Sequence, residues 1–266
     1  MIDTHCHLTF PEFSDPAECL PGGVPAVLGR AAEHGVTGCI TIATTTRDCV
    51  RALAIAKAHD RVWCSAGVHP CHSHEGPHDW DVVARCAADP KCVAWGELGL
   101  DNHHAEPPKQ LQLEVLAEQL DFIERQAAAG VVKPIVLHCR EAFAELVPIL
   151  RRSRLDPTRM VFHCFTGSAA DMRLLLDLGS YVSFTGVLTY KGAKEVREAA
   201  ALAPLDRVMV ETDAPFLSPD PHRTERPCQP WMVSLTARKL AEVHGARFEE
   251  FHQVLNDNTA RFFGVR

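Results

Sequence analysis

Short apolar runs alternate with amphipathic stretches from one end of the chain to the other. The runs at residues 2–7, 36–43, 62–68, 92–95, 134–138, 160–163, 181–184 and 207–212 have the length and apolar, often β-branched content of buried strands. Between them, residues 26–34, 47–59, 79–88, 109–129, 143–152, 169–178 and 193–202 read as helices, and two more follow at 231–244 and 248–263. The clearest is 109–129, where Leu113, Leu116, Leu120, Ile123 and Ala127 recur at three- and four-residue steps and Gly130 stops the run. Residues 12–25, rich in Pro and Gly, read as loop. Eight strand–helix alternations without a linker or a break in composition predict one α/β domain over residues 1–266. The expected fold is a TIM (β/α)8 barrel, with eight parallel strands inside a ring of helices. A doubly wound open sheet is the competing architecture, and no Gly-x-Gly-x-x-Gly follows any of the strands.

In such a barrel the chemistry sits at the C-terminal ends of the strands. His5 and His7 end the first, and His69 follows the third. Glu97, His138 and His163 follow the fourth, fifth and sixth, and Glu211 with Asp213 the eighth. Alternation along a strand puts His5 and His7 on one side with Cys6 turned away. Taken singly, each has an ordinary structural reading as a hydrogen-bonded histidine or a solvated carboxylate. Taken together, ionisable groups on six strand ends need partners or a metal ion to be tolerated there. Imidazole with carboxylate suits Zn²⁺, Mn²⁺ or Fe²⁺, and Mg²⁺ where carboxylate and water dominate. Two ions need a bridging carboxylate, for which Glu97 is placed; such a pair activates water and clamps the oxygens of a phosphodiester or carbonyl. Asp213 can hold an ion and take the water's proton, while Glu211 is either a further ligand or a group that orients one.

Composition narrows the setting. The apolar stretches fall short of the ~18 residues of a membrane span. Met1 leads straight into the His-x-His stretch without the basic segment and apolar core of a signal peptide, so a cytoplasmic protein without membrane attachment is expected. Eleven scattered cysteines with no Cys-x-x-Cys pair point to reduced thiols. Cys139 and Cys164, each next to a candidate ligand, are expected to face the other side of their strands as packing residues. Lys and Arg number 27 against 34 Asp and Glu, a net charge of −7, which disfavours a long nucleic-acid track.

The blocks MIDTHCHL, GVHP, WGELGLD, PIVLHCREA, VFHCFTGS, ETDAPFLSP and NDNTARFFG, in that order from Met1 to Gly264, resemble the TatD family of metal-dependent deoxyribonucleases. The resemblance implies a TIM barrel that hydrolyses DNA phosphodiesters with metal-activated water, often as a 3′-to-5′ exonuclease on single strands. It implies two divalent ions, or three, of Mg²⁺, Mn²⁺ or Zn²⁺. Their ligands fall on His5, His7, Glu97, His138, His163 and Asp213, with Glu97 bridging and Asp213, Glu97 and Glu211 as the catalytic carboxylates. His69 and Glu211 fall near the phosphate or an additional ion. Two segments depart from the family pattern: 102–108, where an aromatic residue is usual after Gly-Leu-Asp, and 222–230, which lacks the usual Asn.

Weaker candidates for substrate contact keep two readings each. Arg140 meets a phosphate or pairs with Glu141 or another acid; Ser168 opens an anion seat at a helix start or simply caps it. Arg223 can contact a phosphate from the unusual 222–230 loop. His72, His74 and His78 read as a solvated loop, and Arg151, Arg152, Arg154 and Arg159 as a solvated basic surface. The DNA contact is expected to be short, at a single strand or an end, and a monomer would suffice for it. An amidohydrolase-type barrel acting on a small ester, lactone or cyclic amide is the enzymatic alternative, against which Glu97 stands where a carbamylated lysine often bridges. A non-catalytic metal-binding adaptor is the second.

Overall fold

The computed structural model describes residues 1–265. Its strands are β1 (Ile2–Cys6), β2 (Gly38–Thr41), β3 (Val62–Ala66), β4 (Cys92–Asp101), β5 (Ile135–Arg140), β6 (Met160–Phe162), β7 (Tyr181–Phe184) and β8 (Val208–Val210). Its helices are α1 (Pro11–Ser14), α2 (Gly23–Glu33), α3 (Thr46–Ala58), α4 (Trp80–Ala87), α5 (Lys109–Ala128), α6 (Phe143–Arg152), α7 (Ala169–Leu178), α8 (Lys194–Ala200), α9 (Val233–Val243) and α10 (Phe248–Phe263). Every strand pairs in parallel with the next, in the order β1 to β8. This is the expected TIM barrel. Among the described residues no helix is long and apolar enough to cross a membrane.

Apolar side chains fill both sides of the sheet. One set, including Cys39, Leu98, Leu137 and Phe162, packs against the helices. The alternate positions Ile40, Ile42, Ala94, Val136, Val161 and Met209 form a separate cluster with Phe262 and Phe263 of α10. The period of two assigns that second set to the barrel interior, with α10 closing it from below.

The structure departs from the sequence pattern in two places. Residues 12–25 take in most of α1 and the start of α2, which a Gly-Pro-rich composition conceals. β4 runs on to Asp101 instead of stopping at Trp95, because its glycines are packing devices and not breaks. A Cβ on Gly96 (φ +121°) would meet Val136 O at 2.5 Å, and one on Gly99 (φ +148°) would meet His138 O at 1.9 Å. On the other side, a Cβ on Gly67 would lie 2.7 Å from Gly96 Cα. Only glycine lets β4 approach β3 and β5 so closely.

The barrel closes between β8 and β1 through few backbone bonds: Cys6 bridges Ala214, the His7 N–H donates to Ala214 O at 2.7 Å, and the Asp213 N–H to His5 O at 2.9 Å. Side chains complete the seam. Asp3 Oδ1 accepts the Thr212 N–H at 2.9 Å, and its Oδ2 lies 2.5 Å from the Thr212 hydroxyl. Burial pushes the Asp3 carboxyl up to about 8, against the lowering bonds from Thr212, so at neutral pH it closes the seam largely in its neutral form. Asp3→Ala leaves the Thr212 N–H without its acceptor and the Thr212 hydroxyl with only the Ala214 N–H as a partner, a loss of roughly 2–4 kcal/mol. The thermal midpoint is expected to fall by roughly 5–10 °C; an unchanged midpoint in calorimetry would show that Asp3 does not hold the seam.

Candidate metal centre

The close approach of β4 to its neighbours decides where Glu97 points. The register slips between Trp95 and Leu98, and this irregularity carries the Glu97 carboxylate into the barrel mouth, where the residue is 1% exposed. There its two oxygens face different partners. Oε2 lies 3.3 Å from His5 Nε2, and Oε1 lies 2.6 Å from His163 Nε2 and 2.9 Å from His138 Nδ1.

Which ring nitrogen carries a lone pair follows from what holds the other one. His7 Nδ1 faces Ile42 O at 3.0 Å, so it carries the proton and Nε2 is free. His138 Nε2 faces Asp101 Oδ2 at 3.0 Å, leaving Nδ1 free. His163 Nδ1 lies 3.4 Å from Glu211 Oε1, an ion-pair contact and not a hydrogen bond, while its Nε2 points at Glu97. The buried Nδ1 of His5 has no partner among the described residues, and its Nε2 points into the centre. His69 is the exception: its Nδ1 accepts the Cys71 N–H at 3.0 Å, so in the neutral ring Nε2 carries the proton. That N–H lies 3.0 Å from His138 Nδ1, beside the ligand group but as a donor.

The free lone pairs converge as metal ligands do. His5 Nε2 is 3.3 Å from His7 Nε2 and 3.5 Å from Asp213 Oδ1, and His7 Nε2 is 3.3 Å from Asp213 Oδ1. A tetrahedron of ligands about 2.0–2.1 Å from an ion has edges of about 3.3–3.4 Å. The second group, Glu97 Oε1, His138 Nδ1 and His163 Nε2, has a nitrogen–nitrogen separation of 3.2 Å. Once the rings are neutral, hydrogen bonds cannot satisfy so many acceptors turned on one another, whereas a cation satisfies all of them. The residues fit divalent ions on either side of Glu97.

The charges agree. Burial alone would raise Glu97, but the surrounding histidines, His163 foremost, hold it well below the usual carboxylate range. Burial likewise opposes ionisation of Asp213, and the bond from His7 overcomes it. Burial lowers His7, His138 and His163, but carboxylate partners, chiefly Asp213, Asp101 and Glu97 respectively, raise all three overall. Burial brings His69 down to about 4, which keeps it neutral.

Above the centre opens a cavity of about 1050 Å³. His7, His69, Glu97, His138, Arg140, His163, Ser168 and Asp213 line it. Glu211 does not: it is 1% exposed and accepts the Cys164 N–H and the Ser183 hydroxyl, each at 2.6 Å. It stands behind His163, off the cavity, where with His5 and His163 it makes a further group of possible metal ligands. Arg223 is also absent from the wall, with its guanidinium 3.5 Å over the Tyr190 ring. Ser168 faces the cavity, but its N–H and hydroxyl are both held by Asp171 in a capping box, so the helix start is a filled cap and not an anion seat. Glu141 pairs with His103 at 3.0 Å instead of with Arg140, which stays exposed on the cavity wall. His72 reaches the wall too, paired with Glu75 at 2.6 Å. Cys164 joins the lining, contrary to its expected outward direction, because the chain has left β6 and turned to φ +46°; Cys139 is buried yet also borders the cavity.

Sequence reasoning passed over Asp101, the partner of His138, although an acid four residues past Glu97 on the same strand was the available signal. It also passed over Phe10, stacked on His7, and Phe216, edge-on to Phe10 and 48% exposed at the rim.

Residues 2–264 match the family described as TatD related DNase. The uncharacterised metal-dependent hydrolase YcfH of Escherichia coli is 37% identical over 265 residues, covering all of this chain and 96% of that protein. A protein of Pantoea ananatis named 3′-5′ ssDNA/RNA exonuclease TatD is 32% identical over 271 residues, the whole of both. The crystal structure of YjjV, a TatD homologue from Escherichia coli, superimposes with a TM-score of 0.86 at 31% identity, over 100% of this chain and 98% of that one.

Metal uptake is expected to release protons, because His7, His138 and His163 hold theirs above the usual imidazole range and must lose them to bind. Zn²⁺ affinity should therefore rise with pH and be lost as pH falls through the raised values. Calorimetric titration in buffers of different ionisation enthalpy reads the protons directly. Glu97→Gln should remove at least one bound equivalent; full occupancy in that variant, or uptake without proton release, contradicts the assignment.

Proposed function

The chain belongs to the TatD related DNase family and is a metal-dependent hydrolase, and from that premise we propose that it cleaves DNA phosphodiester bonds, removing nucleotides from the 3′ end of single strands. The observation that supports this most is the Glu97 carboxylate, shared between two groups of lone pairs at the floor of a cavity bordered by an exposed arginine. The exonuclease name borne by the Pantoea ananatis relative agrees with it.

Divalent ions held by His5, His7, Glu97 and Asp213 on one side, and by Glu97, His138 and His163 on the other, would supply Lewis acidity to the phosphoryl oxygens and lower the pKa of water. The protein's own groups do the rest. Asp213, kept ionised beside His7, is the acceptor for the proton of the attacking water. His69 stays neutral and offers its Nε2–H, a donor suited to a phosphoryl oxygen. Arg140 presents a charged fork to the neighbouring phosphate. Phe10 and Phe216 give sequence-tolerant surfaces on which a base can stack. With a net charge of −7 there is no long basic track, which favours a grip on a few nucleotides at an end.

The test is digestion of 5′-labelled single-stranded and duplex DNA with Mg²⁺, Mn²⁺ or Zn²⁺, beside an Asp213→Ala control. A ladder shortening from the 3′ end, absent with the variant, is expected. Intact DNA in every lane with metal bound would overturn the nuclease reading and direct attention to small esters, lactones and cyclic amides. Arg140→Ala should raise KM for DNA by about tenfold or more, the value of a hydrogen bond to a charged group; an unchanged KM would remove Arg140 from the substrate's path.

A further inference from the structure

Beside the centre, and separate from its ligands, a cysteine, an aspartate and a histidine meet on the cavity wall. Cys71 Sγ lies 3.8 Å from His104 Nδ1, which lies 3.1 Å from Asp101 Oδ1, and the three donor atoms fall within 4.8 Å of one another. All three residues line the cavity. Two elements bring them together: the turn after β3 carries Cys71, while the end of β4 carries Asp101 and folds His104 back over it. Asp101 Oδ1 accepts the His103 and His104 N–H groups at 2.9 Å each, fixing the turn that presents the His104 ring. His104 belongs to the 102–108 segment that departs from the family pattern.

We propose that Cys71, Asp101 and His104 form an additional divalent-cation site with a coordination position open to the cavity. With Zn–S at about 2.3 Å and Zn–N and Zn–O at about 2.0–2.1 Å, tetrahedral geometry sets sulfur–nitrogen and nitrogen–oxygen separations of about 3.6 and 3.3 Å. The Cys71–His104 and His104–Asp101 separations need only a few tenths of an ångström of adjustment, and the His104 ring, 52% exposed, is free to make it. Three protein ligands and one open position is the pattern of a reactive zinc site, not of a closed structural one. Thiolate with imidazole selects borderline-soft ions such as Zn²⁺ and Co²⁺ over Mg²⁺. On binding, the thiol proton passes to solvent, and the neutral His104 ring gives its Nδ1 lone pair with its proton on Nε2.

The site is joined to the main centre through one carboxylate: Asp101 Oδ1 faces the new cation while Oδ2 holds His138 Nε2 at 3.0 Å. A cation there draws charge from the group that orients His138, and its open position faces the same cavity. It tunes the neighbouring ligand and gives an anionic group of the substrate a further anchor.

The experiment is titration of the full chain with Co²⁺, followed by absorption and by metal analysis, for the wild type, Cys71→Ser, His104→Asn and Cys164→Ser. The main centre's ligands contain no sulfur, so a thiolate-to-cobalt charge-transfer band reports the new site alone. The band is expected in the wild type and in Cys164→Ser. It should be lost, with one equivalent of Co²⁺, in Cys71→Ser and His104→Asn. Excess Mg²⁺ should not abolish it. No band in the wild type, or a band that survives Cys71→Ser, overturns the proposal. DNA cleavage does not enter the readout, so a failed nuclease assay and a failed cobalt titration remain separate results. Thermal midpoints of the variants check that each is folded.

Discussion

A carboxylate taken out of water stays ionised only when positive charge surrounds it, and Glu97 is 1% exposed. The whole barrel mouth is arranged around that requirement. Three of the imidazoles around the centre have a group behind them: Ile42 O behind His7, Asp101 behind His138, and Glu211 behind His163. Those outer groups are fixed in turn. Glu211 is held by the Ser183 hydroxyl and the Cys164 N–H, and Asp101 by the backbone of the turn that follows it. An imidazole rotated out of line would leave both itself and Glu97 without compensation, so the outer partners bear on the centre as much as the ligands do.

The fold supplies this arrangement through backbone geometry that is uncommon elsewhere. β4 reaches the centre because three glycines let it lie against its neighbours. Among the described residues four that are not glycine take positive φ: Glu141 (+56°), Cys164 (+46°), Asp213 (+59°) and Leu217 (+59°). All four line the cavity. A left-handed backbone at a residue with a Cβ costs free energy and persists only where its surroundings hold it. At Asp213 the holding contacts are visible: its N–H donates to His5 O across the β8–β1 seam, and its carboxylate meets His7. The seam that completes the barrel also aims the last carboxylate.

The architecture was legible in the sequence because burial writes itself as periodicity, and each of the eight expected strands has its counterpart. Strand ends were less so. Gly96 and Gly99 looked like the end of a strand, since a sequence shows a missing side chain but not the neighbour that requires it to be missing. The strand-end histidines and acids could be read as a group from their positions, but the division of labour among them could not. His69 and His138 are the same residue type at equivalent strand ends. Only the Cys71 N–H on one and Asp101 on the other make the first a donor and leave the second a free lone pair. Glu211 and Asp213 share a side by the period of two, yet the turn at Asp213 sends one to the cavity and leaves the other behind His163.

The two segments that break the family pattern bear on one question, where positive charge meets the cavity. In the 222–230 loop, Arg223 is drawn onto the Tyr190 ring and away from the wall. In the 102–108 segment, His103 pairs with Glu141 at 3.0 Å, so the acid next to Arg140 in sequence is engaged elsewhere. Among the described residues Arg140 is left as the only Lys or Arg on the cavity wall. An arginine without a partner acid is poorly compensated within an acidic protein and is well placed to receive an anion. The pairing of His103 and the placement of Arg223 thus leave the positive charge of the cavity wall at the end of β5, next to His138 and the shared carboxylate.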